Sequence, residues 1–518
     1  MPDERVRLAE IVASLSMVAD IALGDPIERA LRSTLITLRL GERAGLDDTT
    51  LTHAYYVSML TFIGCTSEQH LMGRFFGDEH RLHEAIAPLV YGGDAKVMRA
   101  AIPLMSKGRR GPAAAVEVAR TIPALVGTMN RMSAAHCEVA QLLSDRLGVD
   151  PSLRQVLGTV FEQWDGKGGM KALRGEEVPV AVRLASIGRD AEWQRARGDA
   201  ARVADVMRAR AGKAHDPEFA SLCAAHAEDL VSGLTAGSMW DEVLACEPGD
   251  RPELAGEQID LALEVFADFV DMKSPYFRAH SRGVAALASG AAERCGFATD
   301  EVAAVRRAAL VHDIGRVAVS VAIWDRSGPL SADDVEKVRL HAYHAERVFS
   351  RAPLLASIGR LASMHHERLD GSGYHRAVDG GGIPPGARII AAADAYHAMT
   401  EQRPHRAALD AETAAKESRA EADAGRLDGE AVGAVLAAAG HKSARGSARA
   451  AGLTSREVEV LRLVARGMPT KAIARALDIA PKTADNHIQR IYAKCGVSTR
   501  AGATLFAMQS GVCSDVLG

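Results

Sequence analysis

Aromatic residues are scarce in this chain of 518 residues, since Phe, Trp and Tyr together make up 4%. No run of 18 or more apolar residues occurs, and the first residues do not follow the charged-then-apolar pattern of an export signal. The seven cysteines include no Cys-x-x-Cys pair, which suits a reducing compartment. These absences predict a cytoplasmic protein with no membrane anchor.

The chain also has no excess of positive charge, because it contains 62 Lys and Arg residues and 66 Asp and Glu residues, which give a net charge of -4. The whole molecule is therefore no general polyanion binder, and any contact with DNA must be local. Alternating β-branched residues are rare, whereas apolar residues recur at steps of three and four, as in 284–297 and 300–315. The sequence predicts an all-α fold divided into about three or four domains.

Histidine is concentrated in one part of the chain: nine of the 18 histidines fall between residues 255 and 440. A single buried histidine is more often a hydrogen-bonded core residue than a ligand. A set that combines imidazole with carboxylate is different, because iron, manganese and other first-row divalent ions prefer this mixture. Adjacent ligands favour two ions over one, and the set predicts a metal centre that cuts phosphate esters. Its members are His280, His312, Asp313, His341, His365, His366 and Asp394.

The residues around this set resemble the HD-GYP family in order and spacing. The matching segments are HSRGVA at 280, LVHDIGR at 310, HAYHAERV at 341, HHERLDGSGYH at 365, ARIIAAADAYHAM at 387 and RPHR at 403. The resemblance implies an all-helical, metal-dependent phosphodiesterase that opens cyclic dinucleotides, chiefly cyclic di-GMP. It also implies that the seven residues bind two divalent ions, Fe or Mn, which activate a bridging water and hold the phosphate oxygens.

Further roles follow from the same resemblance. Asp313 and Arg316 are expected to be catalytic, and Arg316, Tyr374, Arg403 and Arg406 to contact the substrate, since guanidinium binds phosphate bidentately. Arg316 stands where the family has lysine, and His375 replaces the proline of its GYP motif. Three readings stay open: a working phosphodiesterase, a transcription factor that only senses the ligand, and a hydrolase of an unrelated phosphoester. Arg403 and Arg406 could equally be solvated surface arginines.

The last part of the chain follows a linker at 441–450 that is low in apolar residues. Thr454 to Glu457 has the pattern of a capping box, and 470–496 reads as two helices joined by a short turn. Nine basic residues face five acidic ones in this segment, although the whole chain is net negative. Such a local excess is expected where one module meets phosphate.

This segment resembles the C-terminal DNA-binding domain of LuxR-type regulators, through its LT-x-RE-x-EVL opening and the later IA and KT-x-x-x-H motifs. The resemblance implies a recognition helix from about Pro481 to Cys495 and binding as a homodimer. Lys482, Thr483, Asn486, His487 and Arg490 would face the DNA groove, and Lys494 and Arg500 the DNA backbone. The alternative is a helical module that docks protein.

The first half of the chain looks like a degenerate copy of the second. Residues 40–65 align without gaps when shifted by 251, and residues 160–193 align when shifted by 205. The positions that match metal ligands are Arg29, Thr61, Phe62, Val160, Phe161 and Arg189, and only His136, opposite His341, keeps its type. Since neither phenylalanine nor arginine binds a dication, this half should be metal-free. A partner or regulatory surface, an anion pocket around Arg29 and Arg189, and an inert packing domain remain alternatives.

The expected organisation is two tandem HD-type helical domains plus a small four-helix LuxR-type domain. The degenerate copy spans 1–250, the metal phosphohydrolase domain 251–440, the linker 441–450 and the DNA-binding domain 451–518.

Overall fold

The computed structural model describes residues 4–106, 109–169, 171–234, 237–440, 453–510 and 512. Within these residues the chain is helical apart from two short strands, which confirms the all-α prediction. The chain divides into two compact units, Arg5–Gln258 and Ile259–Gly518, and the second also includes Glu4. The predicted boundary at 250 lies a few residues before the observed one. The predicted linker 441–450 lies wholly outside the described residues, as do residues 451 and 452.

The N-terminal unit consists of thirteen helices within its described residues. They are α1 (Leu8–Leu23), α2 (Arg29–Arg43), α3 (Asp48–Leu60), α4 (Gln69–Phe76), α5 (Glu79–Ile86), α6 (Asp94–Met105), α7 (Pro112–Leu147), α8 (Pro151–Leu157), α9 (Val180–Arg195), α10 (Ala200–Arg210), α11 (Pro217–Ala225), α12 (Ala227–Val231) and α13 (Trp240–Ala245). Helices α2, α3 and α9 pack against one another. Strands β1 (Arg5–Arg7) and β2 (Glu253–Ala255) pair antiparallel, with Val6 opposite Leu254.

The C-terminal unit begins with ten helices. They are α14 (Glu257–Asp271), α15 (His280–Arg294), α16 (Thr299–Val311), α17 (Val321–Trp324), α18 (Ala332–Arg339), α19 (His341–Phe349), α20 (Pro353–Ala362), α21 (Pro385–Thr400), α22 (Ala411–Asp423) and α23 (Gly429–Ala439). Helix α15 packs against α16, α21 and α23. Two of these helix starts carry local sequence signals, because Ser331 caps α18 through the Asp334 amide and α21 begins at Pro385.

Four further helices form the end of this unit. They are α24 (Ser455–Ala465), α25 (Thr470–Ala476), α26 (Pro481–Cys495) and α27 (Arg500–Gln509). The capping box predicted at Thr454 and Glu457 is present, and α26 has the limits predicted for a recognition helix. None of the described helices combines the length and the apolar character needed to cross a bilayer.

Corresponding helices of the two units have matching limits. When 251 is added to their residue numbers, α2 and α3 have the same limits as α15 and α16. When 205 is added, α9 has the same limits as α21. Glu28 and Ala279, the residues before α2 and α15, both have positive φ values of 69° and 63°. A Cβ at Gly64 or at Gly315 would collide with the carbonyl oxygen of His136 or His341 respectively. The two aligned stretches therefore share local backbone features as well as sequence.

Candidate metal centre and DNA-binding module

The seven side chains proposed as metal ligands come together in the C-terminal unit as two groups. One group is His280, His312, Asp313 and Asp394, and the other is Asp313, His341, His365 and His366. Within each group the potential ligand atoms lie within 4.8 Å of one another. Asp313 belongs to both groups, so a single carboxylate could bridge two ions.

The backbone fixes how three of these histidines point. Nδ1 of His312 lies 2.8 Å from the carbonyl oxygen of Ala309, and Nδ1 of His365 lies 2.8 Å from that of Ala362. His341 makes the same type of contact with the Val338 carbonyl. Because a carbonyl oxygen only accepts, each Nδ1 carries a hydrogen, and when the ring is neutral each Nε2 keeps its lone pair. The three Nε2 atoms lie 3.0 to 3.6 Å from Asp313 oxygens, as ligand atoms should.

The potential ligand atoms of the centre are poorly satisfied by hydrogen bonds to one another and are suited to bind a cation. Nε2 of His312 and Oδ1 of Asp313 are buried and have no hydrogen bond of good geometry, whereas Oδ2 of Asp313 has ion-pair contacts with Arg316 at 2.6 Å and with Nε2 of His312 at 3.0 Å. Buried polar atoms without a partner are costly, and imidazole nitrogen with carboxylate oxygen is a suitable donor set for Fe or Mn. The residues present therefore fit a pair of divalent ions.

The electrostatics of the centre are dominated by its two carboxylates. Burial alone would raise the pKa of Asp313, but Arg316 and His312 outweigh it and hold the pKa well below its usual range. Burial likewise lowers the pKa of His312, yet Asp313 and Asp394 raise it to about 9. At His365 burial prevails and lowers the pKa to about 4. The buried negative charge thus needs protons on imidazole, or cations, to balance it.

Two residues that sequence analysis did not assign to the centre lie beside His280. Nδ1 of His280 is 2.9 Å from Oε2 of Glu401 and 3.2 Å from Nδ1 of His397. A Cβ on Gly283 would collide with the His397 ring, so this glycine makes the close approach possible. His280, His397 and Glu401 form a third group of potential ligands. No local pattern in the sequence signals Glu401, because it follows the last motif helix in an ordinary loop.

Arg316 lies inside the centre. Its Nη2 is 2.6 Å from Oδ2 of Asp313, and the guanidinium lies over the Phe277 ring, 4.7 Å from its centroid. The residue is only 6% exposed, so its charge is directed at the carboxylate shared by both groups. Arg316 is thus placed to contact a bound phosphate and also to compete with cations for Asp313.

The other residues expected to contact substrate differ in availability. The Tyr374 ring stacks on His366, with centroids 4.6 Å apart, at the edge of the centre. Arg403 donates to Glu401 over 2.7 Å and to the Tyr276 carbonyl over 3.1 Å. Arg406 donates to backbone carbonyls near the end of α21, among them that of Met399. The structure therefore places Arg406 as a support of the chain, and neither arginine is a solvated surface residue.

Helix α26 presents a polar face. Lys482, Thr483, Asn486 and Arg490 are exposed on it, whereas Ala484, Ile488 and Ile491 are buried against the rest of the module. His487 is half-buried, and its Nδ1 has no hydrogen-bond partner. Four of the five residues expected to face the DNA groove are thus accessible on one helix.

The two residues expected to contact the DNA backbone are engaged within the module. Nζ of Lys494 lies 2.7 Å from Oε2 of Glu457, the acidic member of the capping box. Arg500 donates to the Met468 carbonyl over 2.7 Å and contacts the Thr470 hydroxyl at 3.3 Å. Arg500 is half-buried, and burial lowers its pKa. These contacts attach the Arg500 guanidinium to the start of α25 and stabilise the module.

Two family models match the chain. The model described as HD domain matches residues 264–431, and the model described as bacterial regulatory proteins, luxR family, matches residues 451–507. The first match contains the whole candidate metal centre, and the second contains α24 to α26 and most of α27.

Curated relatives are cyclic-dinucleotide phosphodiesterases. The 3'3'-cGAMP-specific phosphodiesterase 3 of Vibrio cholerae is 26% identical over 409 residues, which cover 78% of this chain and 88% of that protein. The 3'3'-cGAMP-specific phosphodiesterase 1 of the same organism is 33% identical over 189 residues, 36% of this chain and 43% of that protein. A cyclic di-GMP phosphodiesterase of Thermotoga maritima is 32% identical over 146 residues, 28% of this chain and 39% of that protein.

The fold also has a counterpart among solved structures. A crystal structure of a cyclic GMP-AMP specific phosphodiesterase from V. cholerae matches with a TM-score of 0.58 and 22% identity, over 85% of this chain and 99% of that chain. At this level of identity the match establishes the fold alone. Together with the sequence matches, it shows that the chain carries an HD domain homologous to the HD-GYP phosphodiesterases of cyclic dinucleotides, followed by a C-terminal domain of the bacterial luxR family.

Proposed function

We propose that this chain is a DNA-binding transcription regulator whose HD domain hydrolyses a cyclic dinucleotide, 3'3'-cGAMP or cyclic di-GMP. The observation that carries the proposal is Asp313, which belongs to both groups of potential metal ligands. When bound, two divalent ions, Fe or Mn, supply an activated water and neutralise the phosphate in an in-line displacement. The DNA-binding part rests on the exposed polar face of α26.

The chain's own residues have distinct tasks in this proposal. Asp313, Asp394 and the five histidines hold the ions, and the backbone contacts of His312, His341 and His365 keep their tautomers suited to that role. Arg316 meets a phosphate oxygen, because its guanidinium already lies at the centre. Tyr374 offers its ring to a base of the substrate at the edge of the centre.

A second candidate, a transcription factor that binds the dinucleotide without turnover, is favoured by one observation. The guanidinium of Arg316 lies 2.6 Å from Asp313, the carboxylate that both ions would share. A permanent cation at that distance can displace an ion or weaken its hold on the bridging ligand. Arginine also cannot give up a proton, so it cannot act as a general acid.

The test is an assay of the full-length protein loaded with Mn²⁺ or Fe²⁺ and incubated with cyclic di-GMP or 3'3'-cGAMP. Linear dinucleotide, separated by chromatography, should appear with wild type and with Asp333→Asn, an exposed control on α18. It should disappear with Asp313→Asn. Product that persists in Asp313→Asn would contradict the assignment of the centre.

The Arg316→Lys variant separates the two candidates. If the guanidinium suppresses turnover, the variant should yield linear product where wild type yields none, with ligand binding retained in both. Activity in wild type that falls in Arg316→Lys supports hydrolysis with Arg316 as the phosphate contact.

We further propose that the N-terminal unit is a degenerate, metal-free copy of the HD domain and that the protein binds DNA as a homodimer. The matching limits of α2, α3 and α9 with α15, α16 and α21 support the first part. Homodimerisation rests on the resemblance to LuxR-type modules, and sedimentation of the full-length protein with and without DNA tests it.

A further inference from the structure

The N-terminal unit contains a cavity of about 220 Å³, which we call the N-terminal cavity. Four rings line it: Phe62, His83, His136 and Phe161. Aliphatic side chains, including Met72, Leu82 and Ile86, complete most of the wall. For comparison, an apolar cavity of about 150 Å³ holds one benzene molecule. The N-terminal cavity therefore has room for a small molecule with one or two fused rings.

The cavity lies at the site that corresponds to the metal centre in the sequence alignment. Phe62 aligns with Asp313, Phe161 with His366 and His136 with His341. Two positions that carry candidate ligands in the C-terminal unit are thus apolar rings here. Helices α2, α3 and α9 keep the limits of α15, α16 and α21, whereas α4, α5 and α7, which also line the cavity, have no counterparts with matching limits. The cavity is therefore lined by aromatic rings where the C-terminal unit has candidate metal ligands.

The two buried arginines of this unit are not available for an anion. Arg29 pairs with Asp25 at 2.6 Å, and Arg189 donates to the Tyr91 hydroxyl over 2.8 Å. Both guanidinium groups lie against the Phe62 ring, at 5.9 and 5.4 Å from its centroid. Neither arginine lines the cavity. The geometry therefore disfavours the anion pocket considered from the sequence, and an uncharged ligand fits better.

Polar side chains also line the cavity, among them Gln69, Glu79 and Ser133, and His136 is the polar group that packs beside both Phe62 and Phe161. Its Nε2 lies 2.7 Å from the Thr61 carbonyl oxygen and must donate to it. Burial lowers the pKa of His136 to about 4, so the ring is neutral near pH 7. In a neutral imidazole with hydrogen on Nε2, Nδ1 is an acceptor, and no described residue donates to it. A ligand with one N–H or O–H donor would satisfy this atom.

We propose that the N-terminal cavity binds a small, uncharged aromatic molecule that carries one hydrogen-bond donor, and that this site is independent of the metal centre. The ring of the ligand would contact Phe62 and Phe161 edge-to-face or offset, as aromatic groups prefer. Its donor would reach Nδ1 of His136.

The test uses 5-fluoroindole as the probe and fluorine NMR of the full-length protein as the measurement. Wild type should shift or broaden the probe signal in a saturable way. Ser133→Leu, which adds bulk at the cavity wall, should weaken binding by roughly tenfold or more, equivalent to about 1.4 kcal/mol. Ser221→Leu, the same change at an exposed position on α11, should bind like wild type.

A second variant fills the cavity from a different helix, which tests whether weaker binding by Ser133→Leu comes from the filled cavity and not from local misfolding. Ile86→Phe fills the cavity from α5, whereas Ser133 belongs to α7. Wild-type helicity by circular dichroism confirms that each variant is folded. Loss of probe binding in both folded variants supports the proposal. Failure of wild type to bind, or unchanged binding in both variants, overturns it, whatever the result of the phosphodiesterase assay.

Discussion

At the scale of single residues, the candidate metal centre depends on groups that hold the ligands as well as on the ligands. His312, His341 and His365 each place Nδ1 at the carbonyl of the residue three positions earlier, which lies in the last turn of the preceding helix, so that turn also fixes the tautomer. His280 begins α15 and makes no such contact. Its Nδ1 faces Glu401 instead, which makes Glu401 a positioning residue for this ligand.

We expect Glu401→Gln to weaken metal binding by about 10- to 100-fold, the usual effect of losing a carboxylate that orients a histidine ligand. The amide keeps the shape of the side chain but removes the charge that faces Nδ1 of His280. Titration of the metal-free protein with Mn²⁺ measures the affinity. Glu417→Gln, an exposed change on α22, should leave the affinity unchanged. Equal affinities for all three proteins would exclude a positioning role.

At the scale of elements, α26 combines an exposed polar face with a buried apolar one. The helix begins at Pro481 and ends at Cys495, and the capping residue Gly496 that follows has a positive φ of 67°, so both limits are set locally. Its C-terminal end is tied to α24, because Lys494 pairs with Glu457. This ion pair therefore links α26 to the capping box at the start of α24.

We expect Lys482→Ala combined with Arg490→Ala to release DNA. DNA affinity falls as salt rises, and each exposed cation that contacts a phosphate steepens the plot of log affinity against log salt by about 0.9. The slope of the double variant should therefore be shallower by up to about two units. Binding of a promoter fragment at several salt concentrations measures this. The matched control is Lys416→Ala with Arg419→Ala, which removes the same charge from exposed positions on α22. Retention of DNA by the first variant would refute the assignment of α26.

The Glu457 contact predicts a specific pH dependence for the module. Burial acts to raise the pKa of Glu457, but Lys494 and Thr454 outweigh it and lower the pKa from 4.5 to about 2. A lowered folded-state pKa contributes stability above pH 4.5 that is lost as the pH falls toward 2. We expect Glu457→Gln to destabilise α24 by about 0.5–1 kcal/mol at pH 7 and by much less at pH 3.

Urea-dependent hydrogen exchange of the α24 amides, compared between wild type and Glu457→Gln at each pH, measures this difference. Glu459→Gln is the control, because Glu459 lies on the same helix and contacts only Arg456 among the described ion pairs. A wild-type advantage that stays constant from pH 7 to pH 3 would show that the carboxylate charge is not the cause.

At the scale of the whole molecule, two units with matching helix limits carry different chemistry. The C-terminal unit keeps seven candidate ligands, six of them grouped around Asp313, whereas the N-terminal unit keeps only His136 of the corresponding set. His136 is already committed to the Thr61 carbonyl and is neighboured by Phe161. A single histidine surrounded by rings cannot hold a divalent ion.

We therefore expect different results from the same substitution in the two units. His341→Ala should lower the metal content of the full-length protein by about one equivalent, because His341 belongs to only one of the two groups. His136→Ala, at the aligned position, should leave the metal content unchanged. Elemental analysis of both purified proteins measures the outcome. Loss of metal on His136→Ala would contradict a metal-free N-terminal unit.

The sequence by itself determined the helical class, the start of α21, the limits of α26, the capping box at Thr454 and the members of the candidate ligand set. These features depend on periodicity, proline positions and capping, which act over a few residues, and on motifs whose spacing is preserved along the chain. Only the tertiary structure decided which groups surround them. It placed Glu401 at His280, turned Arg500 to the Met468 carbonyl, and formed a ring-lined cavity at Phe62 and Phe161. Those contacts join residues far apart in sequence, so they depend on how helices pack and not on any local pattern.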